Sequence, residues 1–220
     1  MFILVACEES QRVCKAFRAK GHIAFSCDIE EPSGGHPEWH IKQDVLPLLN
    51  GFCTFNTCDG AEHTINQKWD MIIAFPPCTY LSAAGACRLY PQKGVINPER
   101  YELGKAAASF FRAILDADCE KIVVENPTQL KVFELPKYNQ VIEPFMFGHP
   151  YKKRTCLWLK GVPELKPTEI VTENIVSWVG AGSKDSKGNP RKSKCTTFRD
   201  AKTRSKTFEG IAAAMAEQWG

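Results

Sequence analysis

Phe75-Pro76-Pro77-Cys78 holds the residue with the sharpest chemistry in the chain. Two successive prolines fix φ near −65° and offer no backbone donor, so an apolar run that reaches them must end, leaving Cys78 in a stiff loop. A thiol so placed suits nucleophilic attack. With an ordinary pKa near 8.5, only a few per cent of it is thiolate at neutral pH, so it needs a cation, a helix dipole or a proton delivered to its substrate. The alternative is a packed structural cysteine. Glu125-Asn126-Pro127 repeats the arrangement, with a carboxylate where an apolar run meets a proline. A carboxyl group whose pKa is raised by burial can donate a proton to a ring nitrogen. Arg154, last of the cations Lys152-Lys153-Arg154, offers a charge for a phosphate or a substrate carbonyl. Surface ion pairs and helix caps are the ordinary alternatives for each.

A second group of polar residues follows shorter apolar runs: Glu8 and Ser10, then Asp28, then Asp44. A carboxylate about 20 residues beyond a first strand-to-helix turn suits a ribose diol, because it can accept both hydroxyl hydrogens. Asp and Glu at such places also serve as turn formers and caps. No Gly-x-Gly-x-x-Gly follows the first run, which favours adenosine without phosphates over a dinucleotide. Cys53-x4-Cys58 with His63 lacks a clear fourth ligand, and Pro37 between His36 and His40 makes a helical pair awkward, so no metal site is assigned.

The elements that must carry these residues alternate. Phe2 to Cys7 has strand length, Ser10 to Lys20 places Val13, Ala16 and Phe17 at helical spacing before Gly21, and His22 to Cys27 is a second strand. Trp69 to Phe75, a long helix from Pro98 to about Asp118, and Lys121 to Glu125 continue the rhythm. Such alternation predicts an α/β fold with helices on both faces of a mostly parallel sheet, whose ligands bind beyond the strands' carboxyl ends. Past Pro127 the sheet becomes mixed, with strands expected in Gln140 to Gly148, Thr155 to Lys160 and part of Ile170 to Val179. A helix over residues 207 to 219 should pack back on the first strand.

With 220 residues, 44% of them hydrophobic, the chain can bury a full core as one domain. Its longest apolar runs fall far short of the roughly 20 residues that cross a bilayer, so neither a membrane span nor a secretory signal is expected. Its ten cysteines, scattered within apolar segments, read as reduced thiols of a cytoplasmic protein. The net charge of +3 conceals an asymmetry: residues 1–150 carry 14 Lys and Arg against 18 Asp and Glu, residues 151–206 carry 14 against 5. Nine cations and two acids lie in Lys184 to Lys206, among Gly, Ser and Pro, which predicts a mobile basic arm, either a solvated loop or a polyanion contact.

Taken in order, Phe75-Pro76-Pro77-Cys78 with Ser82, Glu125-Asn126, the cations ending in Arg154 and the C-terminal helix resemble the catalytic sequence of DNA cytosine-5 methyltransferases. The opening Ala6-Cys7-Glu8-Glu9-Ser10-Gln11 turn and Ser26-Cys27-Asp28-Ile29 resemble a small phage and prophage branch of that family. The resemblance implies a Rossmann-like methyltransferase domain over residues 1–160 and 204–220, with a short basic DNA-contact segment over 161–203. It implies that Cys78 attacks C6 of an extruded cytosine, that Glu125, with Asn126 beside it, protonates the ring, and that Arg154 steadies the base carbonyl. S-adenosylmethionine would lie against Ala6, Cys7, Glu8 and Ser10, Asp28 and Ile29, Asp44 and Val45, and Phe75 and Pro76. Lys152, Lys153, Arg191, Lys192 and Lys194 would meet the DNA backbone.

The chain departs from the family pattern in the glycine-free first turn, in Lys152 at an arginine position, and in a recognition segment of some forty residues. So short a segment implies an accessory recognition partner or a second copy. A weakened nucleic-acid or cofactor-binding relic, or a methyltransferase acting on RNA or free nucleotides, remains the alternative. Amino methylation fits poorly, because Phe75 stands where Asp, Asn or Ser is wanted and Cys78 where an aromatic is.

Overall fold

The computed structural model describes residues 1–178 and 201–220. In chain order, β1 (Phe2–Ala6), α1 (Arg12–Ala19), β2 (Ile23–Asp28) and β3 (His40–Lys42) are followed by a hairpin of β4 (Cys53–Asn56) and β5 (Glu62–Ile65), then β6 (Met71–Ala74). Next come α2 (Ala86–Leu89), α3 (Pro98–Leu115), β7 (Ile122–Asn126), β8 (Gln140–Ile142), β9 (Tyr151–Lys152), β10 (Thr155–Lys160) and β11 (Val176–Ser177). Two helices, α4 (Ala201–Ser205) and α5 (Glu209–Trp219), complete the described chain.

Seven strands form one sheet in the order β3-β2-β1-β6-β7-β10-β8. The neighbours from β3 to β7 pair in parallel, and β10 runs antiparallel to both β7 and β8. The architecture is therefore α/β with a mixed, mostly parallel sheet, compatible with a Rossmann-like fold. The chain runs outward from β1 to β2 and β3, then returns to the other side of β1 as β6. That reversal makes the carboxyl ends of β1 and β6 the switch point at which open α/β sheets bind ligands.

The central strands are apolar on both sides because both are covered. Ile3, Val5, Met71, Ile73 and Val123 pack toward α1 and α5, through Val13, Phe17, Ile211 and Met215. Leu4, Ile72 and Val124 face α3, through Ala108, Phe111 and Ile114, and the β4–β5 hairpin, through Phe55 and Ile65. Helix α3 starts where Asn97 Oδ1 accepts the Arg100 amide at 3.0 Å, with Pro98 in the first helical position.

Four expectations shift. Gln140 to Gly148 yields only a three-residue strand, since a 3-10 turn over Pro144–Met146 takes the chain out of the sheet. The helix from Pro98 stops at Leu115. A boundary at 160 falls inside the packed body: Leu165 and Trp178 are buried, Gln140 exchanges two hydrogen bonds with the Leu165 backbone, and β11 pairs with β9. Of the expected mobile arm, residues 201–205 are helical, and residues 184–200 lie outside the described residues.

The C-terminal helix joins the core as expected. Truncating Met215, fully buried between α5 and the sheet, to Ala should cost about 2–5 kcal/mol, read as a lower urea midpoint at an unchanged m-value.

Candidate active site

At the carboxyl ends of β6 and β7, two proline-terminated loops are bound to each other. Neither Pro76 nor Pro77 can donate a backbone hydrogen bond, and the buried carbonyl of Pro76 would be orphaned without a donor. Asn126, itself buried, supplies one: its Nδ2 donates to Pro76 O at 2.7 Å, and its Oδ1 accepts from Gln129 Nε2. Further along, Ala83 N donates to Thr128 O at 2.8 Å and Leu130 N to Leu81 O at 2.7 Å. Asn126 is thus a positioning residue, with both ends of its amide engaged. The outcome is that Cys78 and Glu125 face one cleft.

Burial, foremost, and the Glu125 carboxyl push the Cys78 thiol up, while Lys153 pulls it down. Although Cys78 stands at the surface as a residue, the cleft desolvates its thiol. The Glu125 carboxyl is likewise raised by burial and partly restored by Lys153, with the Thr155 hydroxyl beside it. A raised carboxyl holds a proton to higher pH than an ordinary glutamate, which suits a proton donor.

The cation at this cleft is Lys153, not Arg154. Successive residues of an extended chain point to opposite sides. Thr155 and Glu125 lie on the α1/α5 side of the β7–β10 pair, and Lys153 joins them there. The exposed Arg154 turns the other way, donating to Thr128 Oγ1 at 3.2 Å and to the Tyr138 hydroxyl at 2.9 Å. Lys152 is exposed on β9, near Glu143.

At the other half of the crevice, Ala6 ends β1 within the core and Cys7 takes a left-handed conformation, φ 57°. The buried Glu8 then turns back onto α1, accepting the amides of Val13 at 2.7 Å and Cys14 at 3.1 Å. A carboxylate therefore already fills the helix terminus where a nucleotide phosphate would dock. Burial outweighs these two bonds and pushes the Glu8 carboxyl up to about 7. Gln11 fastens the next loop, donating to His36 O at 2.8 Å and accepting the His36 amide at 3.1 Å. Gly34 passes so close that a Cβ there would lie 2.5 Å from that of Gln11.

Asp28, Asp44 and the buried Cys7 thiol form one neighbourhood at the ends of β1, β2 and β3, and both carboxylates help raise that thiol further. One oxygen of each acid closes a local turn, Asp28 on the Glu30 amide and Asp44 on the Leu46 amide. Ile29, 73% exposed, and Leu46 stand beside them as apolar surface, while Val45 is buried. Phe75 extends β6, donating its amide to Ala6 O at 2.9 Å. Pro76 is buried beneath the loop.

Glu9 is a feature that sequence reading missed. It is buried, and among the described residues neither carboxylate oxygen accepts a hydrogen bond. Lys206 and Lys202 approach it at 3.7 and 4.0 Å, while Lys202 pairs more closely with Glu30 at 2.9 Å and Lys206 bonds Ser33 at 2.8 Å. Two cations expected in a mobile arm are therefore held by acids at the rim of the crevice. Only their distance along the chain, nearly 200 residues, hid this contact.

Arg191, Lys192 and Lys194 lie outside the described residues. Among those described, the nine cysteines are free thiols, no three His, Cys, Asp or Glu side chains cluster so as to hold a metal, and no helix is long and apolar enough to cross a membrane. No protein-family model matches the chain, and no curated protein is significantly similar to it.

The charges around Cys78 make a prediction of opposite signs. In peptide-resolved iodoacetamide alkylation at pH 8, Lys153→Gln should slow modification of Cys78 severalfold by withdrawing the cation that favours thiolate, and Glu125→Gln should speed it. Arg154→Gln should leave the rate unchanged. Equal slowing by Lys153→Gln and Arg154→Gln would return Arg154 to the cleft.

Proposed function

We propose that this chain is an S-adenosylmethionine-dependent methyltransferase acting on C5 of cytosine in DNA. The observation that carries the reading is the meeting of Cys78, Glu125 and Lys153 in one cleft at the carboxyl edge of the sheet, beside its switch point. Cytosine C5 is a poor nucleophile until a thiolate adds to C6 and N3 is protonated. Those two events need a thiol over one face of the ring and a carboxylic acid at its edge, and Cys78 and Glu125 supply those two groups. Cys78 Sγ forms the bond to C6 and Glu125 delivers the proton to N3. Lys153 supports the thiolate before attack. Once C5 carries the new methyl group, a base removes the C5 proton, the thiolate leaves, and the N3 proton returns to Glu125.

The other half of the crevice fits the cofactor. The methyl donor supplies an electrophilic methyl group when bound. Asp28 and Asp44 each retain an oxygen for hydroxyls or an amine, and Ile29 and Leu46 offer apolar surface to a purine. The unsatisfied Glu9 oxygens can accept from an ammonium group. With Glu8 occupying the amides of α1, a ligand without phosphates is favoured over a dinucleotide. Reaching C5 in a duplex requires extrusion of the base at a cost of a few kcal/mol, so the protein must also grip the backbone.

Incubation with DNA and labelled cofactor, followed by nucleoside mass analysis, should give 5-methylcytosine. Cys78→Ser should abolish it and keep cofactor affinity. The unmutated protein alone should be trapped covalently on DNA containing 5-fluorocytosine, where the C5 position holds no removable proton. Cofactor binding with neither product nor adduct would leave a binding protein without this activity. Replacing Asp28 with Ala should weaken cofactor binding in calorimetry by about 1.5–3 kcal/mol, the worth of a hydrogen bond to a charged group. Unchanged affinity would remove Asp28 from the site.

A further inference from the structure

Beside the C-terminal half of α1, the turn after it and the segment before β3 lies a groove of about 390 Å³ that the proposed reaction does not use. Lys15, Arg18, His22, His36 and Trp39 line it; no Asp or Glu does, though the Glu38 carboxylate lies 2.9 Å from His36 Nδ1. Its cations are held in place. The Arg18 guanidinium lies 4.5 Å from the Trp39 ring and 5.2 Å from that of Phe25, and its Nε donates to Ala24 O at 2.7 Å. On Trp39 the His36 ring stacks at 3.7 Å and 5°. Lys15 Nζ reaches only a carbonyl, Gly34 O at 3.4 Å. Among the described residues, neither Lys15 nor Arg18 has a carboxylate within ion-pair distance, whereas the neighbouring Lys20 is neutralised by Glu217.

Two charges left without counter-charges, one of them fixed between aromatic rings, make a preorganised anion site. Spaced three residues apart on one helix, they stand about 4.5 Å apart along its axis, a track more than a point. The track has an end. A second groove of about 260 Å³ shares Lys15 and continues to Arg12, but the Glu209 carboxylate stands in its wall.

We propose that this groove binds backbone phosphates of duplex DNA flanking the target, at a distance from the cleft that holds the reacting base. The identity of the polyanion rests on the function proposed above; the anion site itself rests on the charges. Phosphate contacts of this kind set register and orientation and read no sequence.

The test compares binding of two cytosine-containing duplexes, one of about one helical turn and one of about four, by fluorescence anisotropy across a salt series. Lys15→Glu should weaken binding of the long duplex severalfold and flatten its log-log salt slope by about 0.9 for each phosphate that is no longer neutralised, leaving the short duplex unaffected. Lys15→Gln should do the same to a lesser degree, with circular dichroism confirming the fold of both. Equal effects on both lengths, or none, would overturn the proposal. So would self-association in sedimentation velocity that Lys15→Glu abolishes, since the groove would then belong to a second copy. Absence of a 5-fluorocytosine adduct would sink the methylation reading while the length-dependent effect of Lys15 remained measurable.

Discussion

The hydrogen bond from Asn126 to the Pro76 carbonyl is the constraint on which the candidate cleft depends. Two prolines end β6 cleanly but leave its last carbonyls without partners, and a buried unpaired carbonyl costs about 1–3 kcal/mol. The first residue able to answer from the neighbouring strand is Asn126, and its own carbonyl is held by Gln129. Because Glu125 is the residue before it, the bond that satisfies Pro76 also brings Glu125 toward Cys78. The site is thus set by the way two strand ends meet their hydrogen-bonding obligations.

Charge in the crevice is arranged in two different ways. Around Cys78 and Glu125, burial raises both groups and a single lysine offsets it for both. The arrangement favours the protonated form of the acid while limiting the loss of thiolate, demands that pull in opposite directions. Around the first turn, the chain satisfies its own helix with Glu8 and leaves Glu9 buried, paired loosely, among the described residues, with Lys202 and Lys206. Weak pairing of a buried carboxylate is costly. A ligand carrying a donor would relieve it, and ligand binding there would bear on the grip that Glu9 and Glu30 exert on Lys202 and Lys206.

Much of this was legible in the chain itself. The alternation of apolar runs with helical spacing pointed to the layered α/β architecture. The prolines after Phe75 and Glu125 placed two strand ends, and the small-residue helix expected over residues 207–219 is present over Glu209–Trp219, in one apolar cluster with α1 and the first strand. These features are local: an apolar run or a proline acts on its own backbone whatever surrounds it. The Asp59-Gly60 turn joining β4 and β5 is equally local, with Gly60 at φ 89°. It went unread because strands of four residues, most of them polar or exposed, carry too little alternation to stand out.

What the sequence could not decide were choices between near-equivalent neighbours and meetings across the chain. Lys153 and Arg154 are adjacent cations, and only the pairing of β10 with β7 determines which one turns toward Glu125. Asn126 looks like a partner in chemistry and proves to be a brace, because the donor that Pro76 needs comes from the strand that packs beside it. Glu8 and Glu9 are identical in type, yet the start of α1 claims one and leaves the other to lysines nearly 200 residues away. Local pattern fixes where strands begin and end, because backbone sterics and burial act residue by residue. Which side chains share a cleft is decided by strand order and register, since a shift of one residue reverses every side chain.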